Sequence, residues 1–256
     1  MIHHVELPVG DNVLRGMLQF PDEGQKFPLV ILFHGFTGNR GESHGIFIKF
    51  SRILCENGWA SLRFDFSGSG ESDGTFSGAT FQSELTEAAA ILDYAKTLPM
   101  IDRGRIVALG QSMGGAVAGA LAGCRPDELS ALILWTPAGE LKDTILRVME
   151  LFGAKGPFDG SADVDCLGHL VGAPFFTDLQ TVDVFSISEG FAGPVLLIRG
   201  TNDVLVLEQC ISRYREIYKD NMEFKPIAGA SHGFESVAWE EALFHHSMEF
   251  LRKKCP

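Results

Sequence analysis

The chain has 256 residues, 45% apolar and 21% charged, with a formal charge of −12 at pH 7. That length can bury a full core within one α/β domain, and the apolar content excludes a mostly disordered chain. The acidic balance disfavours nucleic acid and anionic membrane as partners, because basic residues gather only at Arg252-Lys253-Lys254, a helix-end pattern.

Five scattered cysteines without C-x-x-C spacing read as reduced thiols, not as a disulfide frame or a zinc site. Met1 to Val5 lacks the features of a signal peptide, and no apolar stretch approaches about 18 residues. A cytoplasmic protein is the expectation.

In chain order, His4 to Val9 and Val13 to Phe20 flank the turn cluster Gly10-Asp11-Asn12 and predict an opening hairpin. His3 and His4 are adjacent on a strand and face opposite ways, which reads as strand surface rather than a metal pair. Pro28 to Phe33 is a continuous apolar run, as in a strand covered on both faces. It ends in His34-Gly35-Phe36-Thr37-Gly38, where the missing side chain at Gly35 lets backbone approach a ligand and leaves the Phe36 N–H as an oxyanion donor. A plain glycine turn is the competing reading.

Phe47 to Asn57 has helical spacing and stops at Gly58, and Ala60 to Phe64 is the next strand. The glycine-rich run Asp65 to Ser72 does not open into a helix, so it reads as a loop near the site and not as a phosphate cradle. Thr80 to Leu98 predicts a long helix with Glu84 and Glu87 in its first half. Asp102 to Gly104 then turns the chain into the strand Arg105 to Leu109, followed by Gly110-Gln111-Ser112-Met113-Gly114 and the Gly/Ala-rich helix Gly115 to Gly123. A serine between two glycines at a strand-to-helix turn is held in a strained conformation with its hydroxyl exposed, and the Met113 N–H beside it is a second oxyanion donor.

Leu129 to Trp135 is a sixth strand. Gly139 to Gly193 then loses periodicity, with short helices expected at Leu141 to Phe152 and near Asp165 to Val171. Such a length predicts a lid or binding insertion whose aromatics, Phe176 among them, either line a pocket or form the insertion's own core. Val195 to Arg199 resumes as a strand before Gly200-Thr201-Asn202-Asp203. Leu207 to Tyr218, Met222 to Ile227 and Glu240 to Arg252 read as helix, strand and helix, with Ala230-Ser231-His232-Gly233-Phe234 as a loop before the last. The alternation predicts a mostly parallel, twisted sheet with helices on both faces and ligands beyond the carboxyl ends of the strands.

Ser112, Asp203 and His232 each follow a predicted strand, in the chain order serine, acid, histidine. The residue types fit one chemistry: a hydroxyl nucleophile, a base to take its proton, and an acid to orient the base. His34 belongs to the oxyanion turn, His245 and His246 to the last helix, and His44 and His169 follow no strand. Asp65 precedes the serine.

The set HGF (34 to 36), RFDFSGSGES (63 to 72), GQSMGG (110 to 115), GTND (200 to 203) and ASHGF (230 to 234) resembles the α/β-hydrolase fold and, within it, bacterial feruloyl and cinnamoyl esterases. The HGFTG loop, the Thr136-Pro137-Ala138 stretch and the insertion length carry the closer likeness. The resemblance implies one domain over 1–256 with 139–193 as an inserted lid, and hydrolysis of small hydroxycinnamate esters through an acyl-enzyme, without cofactor or metal. The phenolic ring would lie between insertion and core, with Asp143 near its hydroxyl. Gly35, Trp135, Phe176 and Leu205 are the other substrate-contact candidates. A short-chain acyl esterase or monoacylglycerol lipase, a peptidase, and a catalytically silent ligand-binding relative are the alternatives. The partners expected are a small-molecule ester and, at most, a second copy of the chain as a homodimer.

Overall fold

A computed structural model of the protein describes residues 1–21 and 26–256. The opening hairpin is β1 (Ile2–Val9) and β2 (Asn12–Gln19). It is followed by β3 (Phe27–Phe33), α1 (Ile46–Glu56), β4 (Ala60–Phe64), α2 (Phe81–Thr97), β5 (Ile101–Gln111), α3 (Met113–Cys124) and β6 (Ala131–Trp135). The eight-stranded sheet runs β1-β2-β4-β3-β5-β6-β9-β10, where β9 is Val195–Gly200 and β10 is Met222–Ile227. The first three strands in that order pair antiparallel and the rest parallel.

Period-2 alternation divides the central strands between two cores. In β3, Leu29, Ile31 and Phe33 pack with α2 and α3, whereas Val30 and Leu32 pack with α1 and the last helix, α8 (Val237–Lys254). The ends of α2 fit their sequence signals: Thr80 and Ser83 form a reciprocal capping box. Its two early acids do not face water, however. Glu84 and Glu87 are buried, and Glu87 accepts the Ser67 N–H at 2.9 Å, tying α2 to the loop after β4.

Between β6 and β9 lie α4 (Leu141–Leu151), a small hairpin of β7 (Val164–Cys166) and β8 (His169–Val171), α5 (Ala173–Leu179) and α6 (Val184–Ser188). The hairpin replaces the short helix expected near 165–171. Leu167 and Gly168, at φ 56° and 78°, make the two-residue turn with positive φ that matches strand twist, and Val164, Cys166 and Val171 turn inward. Most of the segment's aromatics form its own core: Phe175, Phe176, Phe185 and Phe191 are buried, and Phe175 stacks on Phe36 at 5.3 Å. The remaining helix, α7 (Glu208–Tyr218), links β9 to β10.

The turn between β5 and α3 tolerates no side chain at its flanks. A Cβ on Gly110 would sit 2.0 Å from the Gly114 carbonyl oxygen, and one on Gly114 would sit 2.0 Å from the Phe33 oxygen. Backbone cannot yield as a side-chain tip can. Gly114→Ala is therefore expected to lower stability by about 3 kcal/mol, at the upper end of overpacking costs. Urea unfolding checks this, and a change below about 0.5 kcal/mol, the scatter of neutral surface changes, would contradict it.

Candidate active site

Ser112 sits at the top of β5 with φ 55° and ψ −120°, a strained conformation for a residue with a side chain. Its backbone is pinned from both directions: the N–H donates to the Trp135 carbonyl at 3.0 Å, and its carbonyl accepts from Ala116 at 3.1 Å and Ala138 at 2.9 Å. The hydroxyl meets His232 Nε2 at 2.9 Å. On the other side of the ring, His232 Nδ1 lies 2.9 Å from Asp203 Oδ2. With Nδ1–H donating to the carboxylate, Nε2 is free to accept the serine proton.

Asp203 is caged. Its Oδ1 accepts the N–H groups of Leu205 at 2.8 Å and Val206 at 3.0 Å, and its Oδ2 accepts the Thr136 hydroxyl as well as the imidazole. Burial pushes this carboxyl's pKa up, but the hydrogen bonds from His232, Thr136 and Val206, with the histidine's charge, outweigh it and leave the pKa lowered. The Arg199 guanidinium shapes the loop by donating to the carbonyls of Val206 at 2.7 Å and Asp203 at 2.9 Å. From α4, Arg147 donates to the Leu205 carbonyl at 3.1 Å.

The loop after β3 completes the floor. A Cβ on Gly35 would lie 3.2 Å from Ser112 Cβ and 3.3 Å from the Gln111 oxygen, so backbone here runs directly against the Ser112 turn. Glu42 accepts the Gly35 and Ser43 N–H groups. His34 is a brace: Nε2 accepts the Phe66 N–H at 3.1 Å, which leaves Nδ1–H to donate to the Gly35 carbonyl at 3.0 Å. Among the described residues, neither the Phe36 nor the Met113 N–H is taken by an acceptor, and Met113 opens α3 with its positive end toward the site.

A cavity of about 350 Å³ lies over Ser112 and His232. Part of its rim is apolar: Leu151 and Phe152 at the end of α4, Leu167 at the hairpin tip and Val204 in the loop of Asp203 are all exposed and border it. Gly35, Phe36 and Leu205 also line it. Three sequence candidates do not. The Trp135 side chain is fully buried among Phe47, Phe50 and Phe244, its Nε1 donating to Ser247 at 3.0 Å, and only its carbonyl serves the site. Phe176 is buried against Phe158 and Phe175, and Asp143 is exposed in the first turn of α4, where its charge suits the helix N-terminus. Sequence reasoning missed the Thr136 hydroxyl, the Glu42 carboxylate and the Leu151, Phe152, Leu167 and Val204 rim. Of these the rim had a signal, as apolar residues at turn positions, and Thr136 lies in the Thr136-Pro137-Ala138 stretch that stands out in the sequence.

A strained serine elbow, its histidine and a caged acid at the carboxyl edge of a parallel sheet define an α/β-hydrolase. The chain belongs to the Hydrolase_4 family, described as serine aminopeptidase, S33, whose model matches residues 24–156. Est1E from Butyrivibrio proteoclasticus, solved with ferulic acid bound, is 29% identical, with a TM-score of 0.86 and 98% of each chain covered. The alpha/beta hydrolase domain-containing protein WAV2 of Arabidopsis thaliana is 29% identical over 187 residues, 70% of this chain and 54% of that protein. Protein bem46 of Schizosaccharomyces pombe is 33% identical over 152 residues, 59% of this chain and 49% of that protein. The chain spans about half the length of these two curated relatives.

The lowered pKa of Asp203 has a stability consequence. Folded Asp203 holds its proton more weakly than unfolded aspartate, near pKa 3.9, so its contribution is full above that value and is lost as pH falls through the lower folded one. Asp203→Asn is therefore expected to be less stable than wild type at neutral pH, with the gap narrowing as pH falls below about 3.9, the unfolded value. Urea midpoints across that range check this, and a gap independent of pH would contradict it.

Proposed function

We propose that the chain is a serine carboxylesterase that hydrolyses small aromatic esters of the hydroxycinnamate type through an acyl-enzyme. The observation that carries this reading is the unbroken relay from Ser112 through His232 to Asp203 beneath a cavity with a partly apolar rim. In this reading Ser112 Oγ attacks the ester carbonyl as its proton passes to His232 Nε2, and the Phe36 and Met113 N–H groups hold the oxyanion. His232 returns the proton to the departing alkoxide. Water, deprotonated by the same imidazole, then attacks the acyl-Ser112 carbonyl, and collapse releases the carboxylic acid and restores the hydroxyl.

The size and lining of the cavity favour a single aromatic ring over a long acyl chain, since about 350 Å³ lies at the small end of ligand sites. The likeness to Est1E, with ferulic acid bound, supports the same class. Protein groups supply every catalytic role in this scheme, so it calls for no metal or cofactor. Among the described residues no helix is long and apolar enough to cross a membrane. We place the enzyme in the cytoplasm, where the thiols of its free cysteines stay reduced.

A second reading draws on the family description, serine aminopeptidase, and on two carboxylates beside the cavity, Glu42 and Glu235, of the charge a substrate ammonium would seek. Both are already engaged, Glu42 by backbone N–H groups and Glu235 by the Ser231 hydroxyl, which favours the ester reading.

Hydrolysis of methyl ferulate, methyl p-coumarate, a short-chain p-nitrophenyl ester and an aminoacyl p-nitroanilide separates the readings. Preference for the two hydroxycinnamates, with a loss of at least about 10³-fold in Ser112→Ala, is expected. Activity confined to the short acyl ester would discard the cinnamoyl assignment, and activity confined to the anilide would favour the peptidase. Thr136→Val removes one donor from Asp203 without changing shape and is expected to lower kcat/KM about tenfold, a fraction of a charged hydrogen bond. Thr136→Ser should retain activity, and equal rates for Val and wild type would remove Thr136 from the relay.

A further inference from the structure

Arg63 is a buried cation that, among the described residues, makes no ion pair or hydrogen bond with a carboxylate. It lies on β4 opposite Met17 of β2 and Leu32 of β3, and turns away from the core that takes Ala60, Leu62 and Phe64. Only 5% of its surface is exposed, and its Nε has no hydrogen-bond partner among the described residues. Two hydroxyls of the neighbouring elements, Ser51 of α1 and Ser61 of β4, are buried and unpartnered as well. Buried charges in folded proteins are otherwise paired or hydrogen-bonded, because an unpaired one keeps its full desolvation cost.

The local carboxylates are committed elsewhere. Asp65 Oδ1 accepts the Arg40 backbone N–H at 2.6 Å, and Oδ2 takes the Arg40 guanidinium and the Glu71 N–H at 3.0 Å. The other arm of Arg40 holds Glu71. Arg40 thus engages both acids by hydrogen bonds and neither is bonded to Arg63; the three guanidiniums of Arg40, Arg52 and Arg63 face the two carboxylates of Asp65 and Glu71, one positive charge in excess. Burial, with the guanidiniums of Arg40 and Arg52 nearby and Asp65 opposing them, lowers the pKa of Arg63 to about 10. That is still far above neutrality, so the side chain remains a cation.

A cavity of about 470 Å³ opens beside it, lined by Arg63, Arg40, Asn39 and Met17 and by the carboxylates of Asp65 and Glu71, both already held by Arg40. We propose that this cavity is an anion site in which Arg63, with Arg40 and Asn39 at its rim, takes a small oxyanion, a carboxylate or a phosphate, from solution. A planar guanidinium with free N–H donors suits those groups. The loop after β3 supplies Gly35, Phe36 and Thr37 to the Ser112 cavity and Asn39, Arg40 and Gly41 to this one, so an anion bound here braces the strand of backbone that carries the Phe36 N–H.

Thermal unfolding in potassium phosphate and in sodium acetate, each against sodium chloride at equal ionic strength, tests the site. Wild type is expected to gain a few degrees over chloride in a saturable way, as ligand linkage requires, and Arg63→Gln to gain nothing. A gain with phosphate alone assigns a phosphate group, and a gain with acetate assigns a carboxylate. Met17→Glu supplies a carboxylate from the strand position opposite Arg63 and keeps the test informative even where Arg63→Gln does not fold. It should raise Tm without added anion and abolish the phosphate and acetate increments. No increment over chloride in wild type, or the same increment in Arg63→Gln or Met17→Glu, overturns the proposal.

Discussion

The structure depends on one strained residue. Ser112 at φ 55° and ψ −120° places its hydroxyl above the sheet only because β5, α3 and the end of β6 meet with no room for other backbone paths. The Trp135 carbonyl takes the serine N–H, and the serine carbonyl holds both Ala116 of α3 and Ala138 beyond β6. Three elements are thus fixed by one peptide neighbourhood. The buried strands around it make that geometry affordable, since a tightly packed parallel sheet gives the turn no cheaper alternative.

The same constraint propagates to Asp203 and His232. Because β5, β6 and β9 are adjacent and parallel, the loops that follow them rise on the same edge of the sheet. Thr136 follows β6 at φ 43°, unusual for a β-branched residue and more so before proline, and in that conformation its hydroxyl reaches Asp203 from the neighbouring loop. A Cβ on Gly200 would meet the Ala230 oxygen at 2.2 Å, so the acid loop and the histidine loop are pressed together as closely as backbone allows. The carboxylate then gathers four donors, and the imidazole has one orientation left.

Much of this was legible in the sequence, and the failures have physical reasons. Pro28 to Phe33 reads as a strand because both of its faces are covered, and Ser112, Asp203 and His232 stand out because each follows a predicted strand. Trp135 is a substrate-contact candidate in the sequence, yet period-2 alternation puts it with Ala131 and Ile133 on the α1 and α8 face; parity along β6 carries that information. Near Asp165 to Val171 the sequence suggests a short helix. Alternation about Leu167-Gly168 in fact suits a hairpin with a positive-φ turn. The Thr136-Pro137-Ala138 stretch stands out in the sequence, but the Thr136 to Asp203 bond is not legible there, since it rests on a dihedral that threonine rarely adopts.

The central claim is that Ser112 is a nucleophile activated by His232, and covalent capture tests it most directly. Intact-protein mass spectrometry after exposure to a fluorophosphonate, followed by peptide mapping, should find one adduct, on Ser112, formed much more slowly in His232→Ala and absent from Ser112→Ala. An ester-hydrolysing protein that takes no label, or takes it on another residue, would contradict the account.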